Sequence, residues 1–232
     1  MNDRQQEKTK ELLDTLKRIT SVTALLGLLF WSFGGFDWLA AWVFIGLSAL
    51  TKLTFGTYLA EHDPELLQRR SRMQKGTKTW DKVWLAFFVP LFFLILVVAG
   101  LDAGRYHWSP APLWAMVLGG GVYIASMGFT FSAMLANTHF EGTVRIQTDR
   151  NHRVIDTGPY AHIRHPGYAG LILSMLSLPL LLGSYVAMIP ATAVAVLFLV
   201  RTALEDRTLK QELQGYGSYV RTVRYRLLPG FW

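Results

Sequence analysis

The polar stretch Gly158-Pro159-Tyr160-Ala161-His162-Ile163-Arg164-His165-Pro166-Gly167-Tyr168-Ala169-Gly170 interrupts a hydrophobic chain and runs directly into the apolar segment Leu171 to Leu182. Its residue types suit a charged, flat ligand. A Pro is tolerated at the first helical position, where its missing N–H would be an orphan, so Pro166 is expected to begin a helix continuing through Leu182. The free N–H groups and dipole of that start favour an anion, with Arg164 and His165 just ahead of it. Tyr160 and Tyr168 add aromatic faces for a flat or cationic group.

A second polar group follows the apolar segment. Gly183-Ser184 is expected to turn the chain into a helical hairpin. Residues equally far from that turn share a depth, which places Glu205 and Asp206 beside Arg164-His165-Pro166. Carboxylates opposite a cationic, aromatic helix start would bind a zwitterion carrying an extra positive centre. By themselves they also read as solvated i,i+4 pairs, Arg201 with Glu205 and Asp206 with Lys210. The tail, with Tyr216-Gly217-Ser218-Tyr219 and Arg224-Tyr225-Arg226-Leu227-Leu228-Pro229, is predicted to fold back over this mouth. Arg226 is suited to a bidentate grip on a carboxylate, and equally to a lipid phosphate.

The loop Asn137 to Arg153 carries His139, Glu141 and His152 and is longer and more polar than a connection requires. It reads either as an interfacial segment or as a lid facing substrate. His162 and His165 are three apart but lie around a turn without a carboxylate cluster, so no metal site is expected. The absence of cysteine excludes disulfides, thiolate ligands and a Cys nucleophile.

These residues need a membrane scaffold to position them. Of the 232 residues, 51% are hydrophobic and 17% charged, with mean hydropathy +0.26 and the apolar residues bunched in long runs. The fold class predicted is all-α and polytopic, with six spans: Ile19 to Phe36, Trp38 to Leu59, Val83 to Leu101, Pro112 to Ala136, Gly167 to Leu182 and Tyr185 to Leu204. The first and fifth are short. No small-residue cleavage site follows the first run, which reads as a retained span. In this arrangement 21 of the 23 basic residues fall on one side, leaving Arg105 opposite and Lys52 inside a span near its end. Both termini are therefore expected in the cytoplasm. Topology thus accounts for the net charge of +7, and nucleic acid is not an expected partner. Residues 1–136 read as a four-span membrane region and 137–232 as the catalytic region.

Three features have structural readings. Asp63-Pro64-Glu65 reads as the capped start of a surface helix. Gly119-Gly120-Gly121, Ala125 and Gly128 form a small-residue face for helix packing. Lys52 reads as a snorkelling side chain.

The pattern Gly158-Pro159-Tyr160, Arg164-His165-Pro166-x-Tyr168-x-Gly170, with His152 before it and Glu205-Asp206-x-x-Leu209, Tyr216-Gly217-x-x-Tyr219 and Arg226-x-x-Pro229 after it, resembles the isoprenylcysteine carboxyl methyltransferase family. Phospholipid N-methyltransferases and bacterial thiol methyltransferases are similar. The resemblance covers about His152 to Trp232 and implies an S-adenosylmethionine site built from the last hairpin and its flanking loops. A lipophilic acceptor would enter from the bilayer. By matched position, His152, Tyr160, Arg164, His165, Tyr168 and Glu205 would contact the cofactor, and Arg164 or Arg226 would lie near the acceptor, so Arg164, Glu205 and Arg226 are the expected catalytic residues. Asp206 departs from the Glu-Glu of many members. Methyl transfer from a sulfonium is an in-line displacement governed by positioning and desolvation. A carboxylate acceptor needs no base, whereas an amine or thiol needs one, for which Glu205, His162 or His139 could serve. Membrane sterol reductases, which bind a nicotinamide cofactor in a similar C-terminal region, and a non-catalytic membrane protein are the competing readings.

Overall fold

A computed structural model of the chain describes residues 23, 25–70 and 72–232. The first expected span lies partly outside these residues; within them, residues 25–33 are helical (α1). There follow α2 (Leu39–His62), α3 (Pro64–Arg70), α4 (Thr79–Gly100) with a π-helical extension Leu101–Tyr106, α5 (Leu113–Ala136), α6 (Pro166–Leu181), α7 (Met188–Glu212) and α8 (Tyr216–Thr222). No strand occurs among the described residues, in agreement with the all-α expectation.

Among the described residues, four helices are long and apolar enough to cross a bilayer: α2, α4 with its extension, α5 and α7. Large apolar side chains such as Leu53, Phe87, Val117 and Ile189 point outward from them. Exposed apolar surface of that extent is what a helix presents to lipid, and the chain is an integral membrane protein. The expected fifth span is α6, with 16 residues. At 1.5 Å per residue it is about 24 Å long, short of the ~30 Å hydrocarbon core.

Local sequence explains the helix ends. Pro166 occupies the first position of α6, as expected, and Gly183 in the left-handed region (φ 85°) reverses the chain toward α7. Asp63 caps α3, its Oδ1 accepting from the Leu66 N–H at 2.9 Å. Pro179 lies inside α6, but Pro190 falls in the first turn of α7, where a missing N–H removes no helical bond. The hairpin is therefore interrupted on one limb.

Helix α5 packs along α6. A Cβ on Gly119 would stand 2.5 Å from the Leu181 backbone nitrogen, so only glycine permits this approach. The small-residue face is narrower than its sequence suggested: Gly121 and Gly128 meet nothing and Ala125 is exposed. A core of Phe30, Phe44, Trp84, Leu96, Leu178 and Phe198 ties α1, α2, α4, α6 and α7 together.

The two ends of the bundle differ. At one, fully buried Asp102 accepts from the Ser109 backbone N–H (2.7 Å), Ser109 Oγ (3.0 Å) and Ser184 Oγ (2.6 Å), clasping the π-helical extension to the α6–α7 turn. At the other gather the α2–α4 connection, the 137–165 loop, the C-terminal end of α7 and the tail. Lys78 with Glu212 (2.7 Å) and Arg69 with Asp149 (2.6 Å) join them. Arg105 bonds the Ser32 and Trp31 carbonyls at the first end, away from the basic loops.

Candidate active site

At the basic end a cavity of about 360 Å³ opens between α4, α6, α7, α8 and the 137–155 segment. That volume falls in the ~300–1,000 Å³ range of small-molecule sites. Its lining has two parts. Trp84, Leu85, Phe88, Leu171, Met175 and Phe198 form an apolar arm running between α4, α6 and α7. His139, His152, Tyr160, Tyr168, Glu205 and Tyr216 belong to the polar part.

All six residues expected at the cofactor (His152, Tyr160, Arg164, His165, Tyr168 and Glu205) lie on this lining, whereas Arg226 does not. The reason is Asp206. This side chain, 1% exposed, is ringed by Arg164 Nε (2.8 Å), Arg226 Nε (3.0 Å), Lys210 Nζ (3.0 Å), His165 Nε2 (3.5 Å) and the Tyr216 hydroxyl (3.0 Å). The remaining Arg164 donor, Nη1, bonds the Val223 and Arg224 carbonyls, and the Arg164 and His165 N–H groups bond the Tyr225 and Arg226 carbonyls. Asp206 is thus the hub on which the tail folds back. Arg226 stacks on Trp232 at 4.8 Å behind that hub.

Glu205 faces the opposite way. Its carboxylate accepts from the Tyr168 hydroxyl and, among the described residues, has no cation within ion-pair distance. The other acid on the lining, Glu141, is cancelled by Arg145 at 2.8 Å. Glu205 is therefore the lining carboxylate that a positive ligand would find.

Arg201 does not pair with Glu205 as the i,i+4 spacing suggested. It turns to Asp81 in the first turn of α4. The closest atoms, Nε and Oδ1, are 2.8 Å apart but off the hydrogen-bond direction, and the aligned bond runs from Nη2 to Oδ2 at 3.2 Å. The guanidinium is covered by Trp84 (4.2 Å) and Tyr168 (5.3 Å). Nη2 also donates to the Gly142 carbonyl, and Asp81 Oδ2 accepts from the Val144 N–H, so this pair pins the 137–153 loop to the helices. Lys210 does pair with Asp206 as the sequence suggested.

The 137–153 loop is a wall of the cavity. Arg145 bridges Glu141 and Asp149, which holds the Asp149 carboxyl well below its usual range and raises the Arg145 guanidinium. Phe140 lies against Gly167, where a Cβ would come within 2.5 Å of its ring. Arg70 covers the other face of this arrangement, 5.1 Å from the Phe140 ring centre and donating to the Phe140 carbonyl at 2.6 Å. Burial lowers His139, and burial with the nearby His139 and Arg145 lowers His152 to about 4, so both rings are neutral at pH 7. Burial raises the Tyr160, Tyr216 and Tyr219 hydroxyls, which stay protonated; Tyr219 donates to the Tyr160 carbonyl at 2.6 Å. His162 is exposed and off the lining.

Sequence reasoning missed Asp81, Trp84 and Gln147. An Asp in a first helical turn reads only as a dipole partner, and its pairing 120 positions away has no local signature.

Fold and cavity together define an integral membrane protein with a cavity of small-molecule size at one end of its helices. Comparison with known proteins narrows the class. The sequence profile of the isoprenylcysteine carboxyl methyltransferase (ICMT) family matches residues 118–211. The uncharacterized protein YpbQ of Bacillus subtilis (strain 168) is 31% identical over 122 residues, covering 52% of this chain and 69% of that protein. The chain belongs to the isoprenylcysteine carboxyl methyltransferase family, and it is a membrane methyltransferase. The profile match starts inside α5, ahead of the boundary at residue 136 that the sequence suggested.

Proposed function

We propose that the protein transfers the methyl group of S-adenosylmethionine to a lipophilic acceptor, both bound in the one cavity. The observation that carries this reading is the two-part lining: a polar half, with a carboxylate that no described residue ion-pairs, continues into an apolar arm directed between helices. The donor set suits the cofactor. Glu205 would attract its positive charge, Tyr160 and Tyr168 offer faces to a flat ring, and His152 offers a neutral polar edge. When bound, the cofactor supplies an electrophilic methyl on a sulfonium.

The chain's own residues do the rest. Arg164, His165 and Arg226 act through Asp206, holding the tail as a lid that keeps water from the site. Trp84, Leu85, Phe88, Leu171, Met175 and Phe198 receive the apolar body of the acceptor, which approaches laterally beside the short α6. The reaction needs alignment of acceptor and methyl carbon more than it needs a nucleophilic side chain. Residues 137–232 would form the catalytic region, completed by Asp81 and Trp84 from α4. The basic end would be cytoplasmic, in keeping with the placement of its Lys and Arg, and six spans would result if α6 and the first apolar run also cross.

Titration of the purified protein with S-adenosylmethionine, S-adenosylhomocysteine and NADPH tests this reading. Saturable binding of the first two and none of NADPH is expected; binding of NADPH alone would overturn it.

A further inference from the structure

Two imidazoles on the cavity wall are held in opposite tautomers by one residue. His139 Nδ1 lies 3.2 Å from Gln147 Oε1, and the amide can point only this way because Gln147 Nε2 donates to the His139 carbonyl at 2.8 Å. An amide oxygen only accepts, so neutral His139 carries its proton on Nδ1 and a lone pair on Nε2. His152 is the reverse. Its Nδ1 accepts from the Gln147 backbone N–H at 3.3 Å, which places the ring proton on Nε2. The ring centres are 4.5 Å apart, both rings line the cavity, and Gln147 between them is 2% exposed.

The other bases on the wall are already engaged. Glu205 accepts from the Tyr168 hydroxyl, and His165 faces Asp206 and Tyr216. His139 Nε2 has no hydrogen-bond partner among the described residues. Of the charged groups around the pair, Arg150, bonded to the Thr138 carbonyl, is offset by Asp63 and Glu65, and Arg145 by Glu141 and Asp149, whereas Arg153 on the lining has no ion-pair partner among the described residues. The unpaired Arg153 disfavours an incoming ammonium and favours an anion formed on the spot. A carboxylate would arrive already ionised and need no base.

We propose that His139 is the catalytic base of the methyl transfer and that the acceptor is a neutral acid, a lipophilic thiol or phenol-type hydroxyl. His139 Nε2 takes the proton of the S–H or O–H while a lone pair of that sulfur or oxygen forms the new bond to the methyl carbon. The bond from methyl carbon to the donor's sulfonium breaks, its electron pair stays on that sulfur, and the sulfonium charge is cancelled. The positive charge passes to the His139 imidazolium, whose Nδ1–H remains bonded to Gln147 Oε1. His152, presenting an N–H to the cavity, does not compete for the proton. This proposal rests on the methyl-transfer reading above.

Nitrogen NMR of histidine-labelled protein in micelles tests the geometry without any ligand. The expected spectrum at pH 7 has unprotonated nitrogens at His139 Nε2 and His152 Nδ1, assigned by their loss in His139→Gln and His152→Gln; a protonated Nε2 on His139 overturns the proposal. Kinetics with S-adenosylmethionine and an alkyl thiol, an alkylphenol and a long-chain carboxylate complete the test. His139→Gln is expected to lower kcat about 10²-fold for whichever of the first two is accepted, with the affinity for S-adenosylmethionine unchanged. Unaltered kcat for both, or turnover of the carboxylate alone, overturns it. Failure of the wild type to bind S-adenosylmethionine overturns the methyl-transfer reading, and the base with it.

Discussion

Removing Asp206 should free the tail and destabilise the basic end while leaving the rest of the bundle folded. The Arg164 side chain is 3% exposed and has Asp206 as its carboxylate partner, so Asp206→Ala strands a buried guanidinium that keeps only the Val223 and Arg224 carbonyls. Losing one partner of such a buried pair costs about 3–5 kcal/mol. Arg226 and Lys210, at 27% and 37% side-chain exposure, are reached by water and add at most about 1 kcal/mol each. Tyr216 also loses an acceptor, worth about 1 kcal/mol. A total of roughly 4–8 kcal/mol follows for the tail's docking, toward the lower end where water reaches the stranded cation. The assay is urea-dependent trypsin cleavage at Arg221 and Arg224 in detergent, which reports opening of the tail. Cleavage should occur at much lower urea in Asp206→Ala than in wild type, and the paired change Arg164→Met with Asp206→Leu should recover much of the loss, because apolar replacement of both partners removes the stranded charge. If Asp206→Ala opens within about 1 kcal/mol of wild type, Asp206 is not the hub.

Other perturbations reach different parts of the site. Gly167→Ala drives a Cβ to 2.5 Å from the Phe140 ring and should cost about 1–3 kcal/mol by overpacking, read as a lowered unfolding midpoint. Met175→Trp fills the apolar arm and should raise the KM of a long-chain acceptor with donor affinity unchanged, whereas Ser174, fully buried and off the lining, should give a folding defect when enlarged. His152 is held near pKa 4 when folded and titrates near 6.5 when unfolded, so the unfolded state binds more protons between these values. Stability should therefore be full above pH 6.5, fall as pH drops toward 4, and fall less steeply in His152→Gln, where the lowered His139 still contributes; denaturant midpoints across pH 4–7 would read it.

The sequence made the hairpin and its motif legible because both depend on local signals. Pro166 at a helix start, Gly183 in the turn and the mirror spacing of Arg164 and Glu205-Asp206 about that turn are short-range features. The division of labour between Glu205 and Asp206 was not legible. Adjacent positions on a helix point about 100° apart, and only packing decides that Asp206 meets the tail while Glu205 faces the cavity. Asp81 with Arg201, and Gln147 between two histidines, are pairings across loops whose course no periodicity describes. The small-residue face of α5 was overread for a similar reason: Gly121 and Gly128 fit a packing pattern but lie on a side that no helix covers among the described residues.

The charge of the bound donor offers the most direct test of the central claim. Calorimetric titration should compare S-adenosylmethionine with its neutral thioether product in wild type and Glu205→Gln. Loss of one charge-assisted contact, about 1.5–3 kcal/mol, should weaken the sulfonium at least tenfold and change the thioether much less. Equal loss for both ligands, or no change for either, would contradict a cavity built around a positive methyl donor.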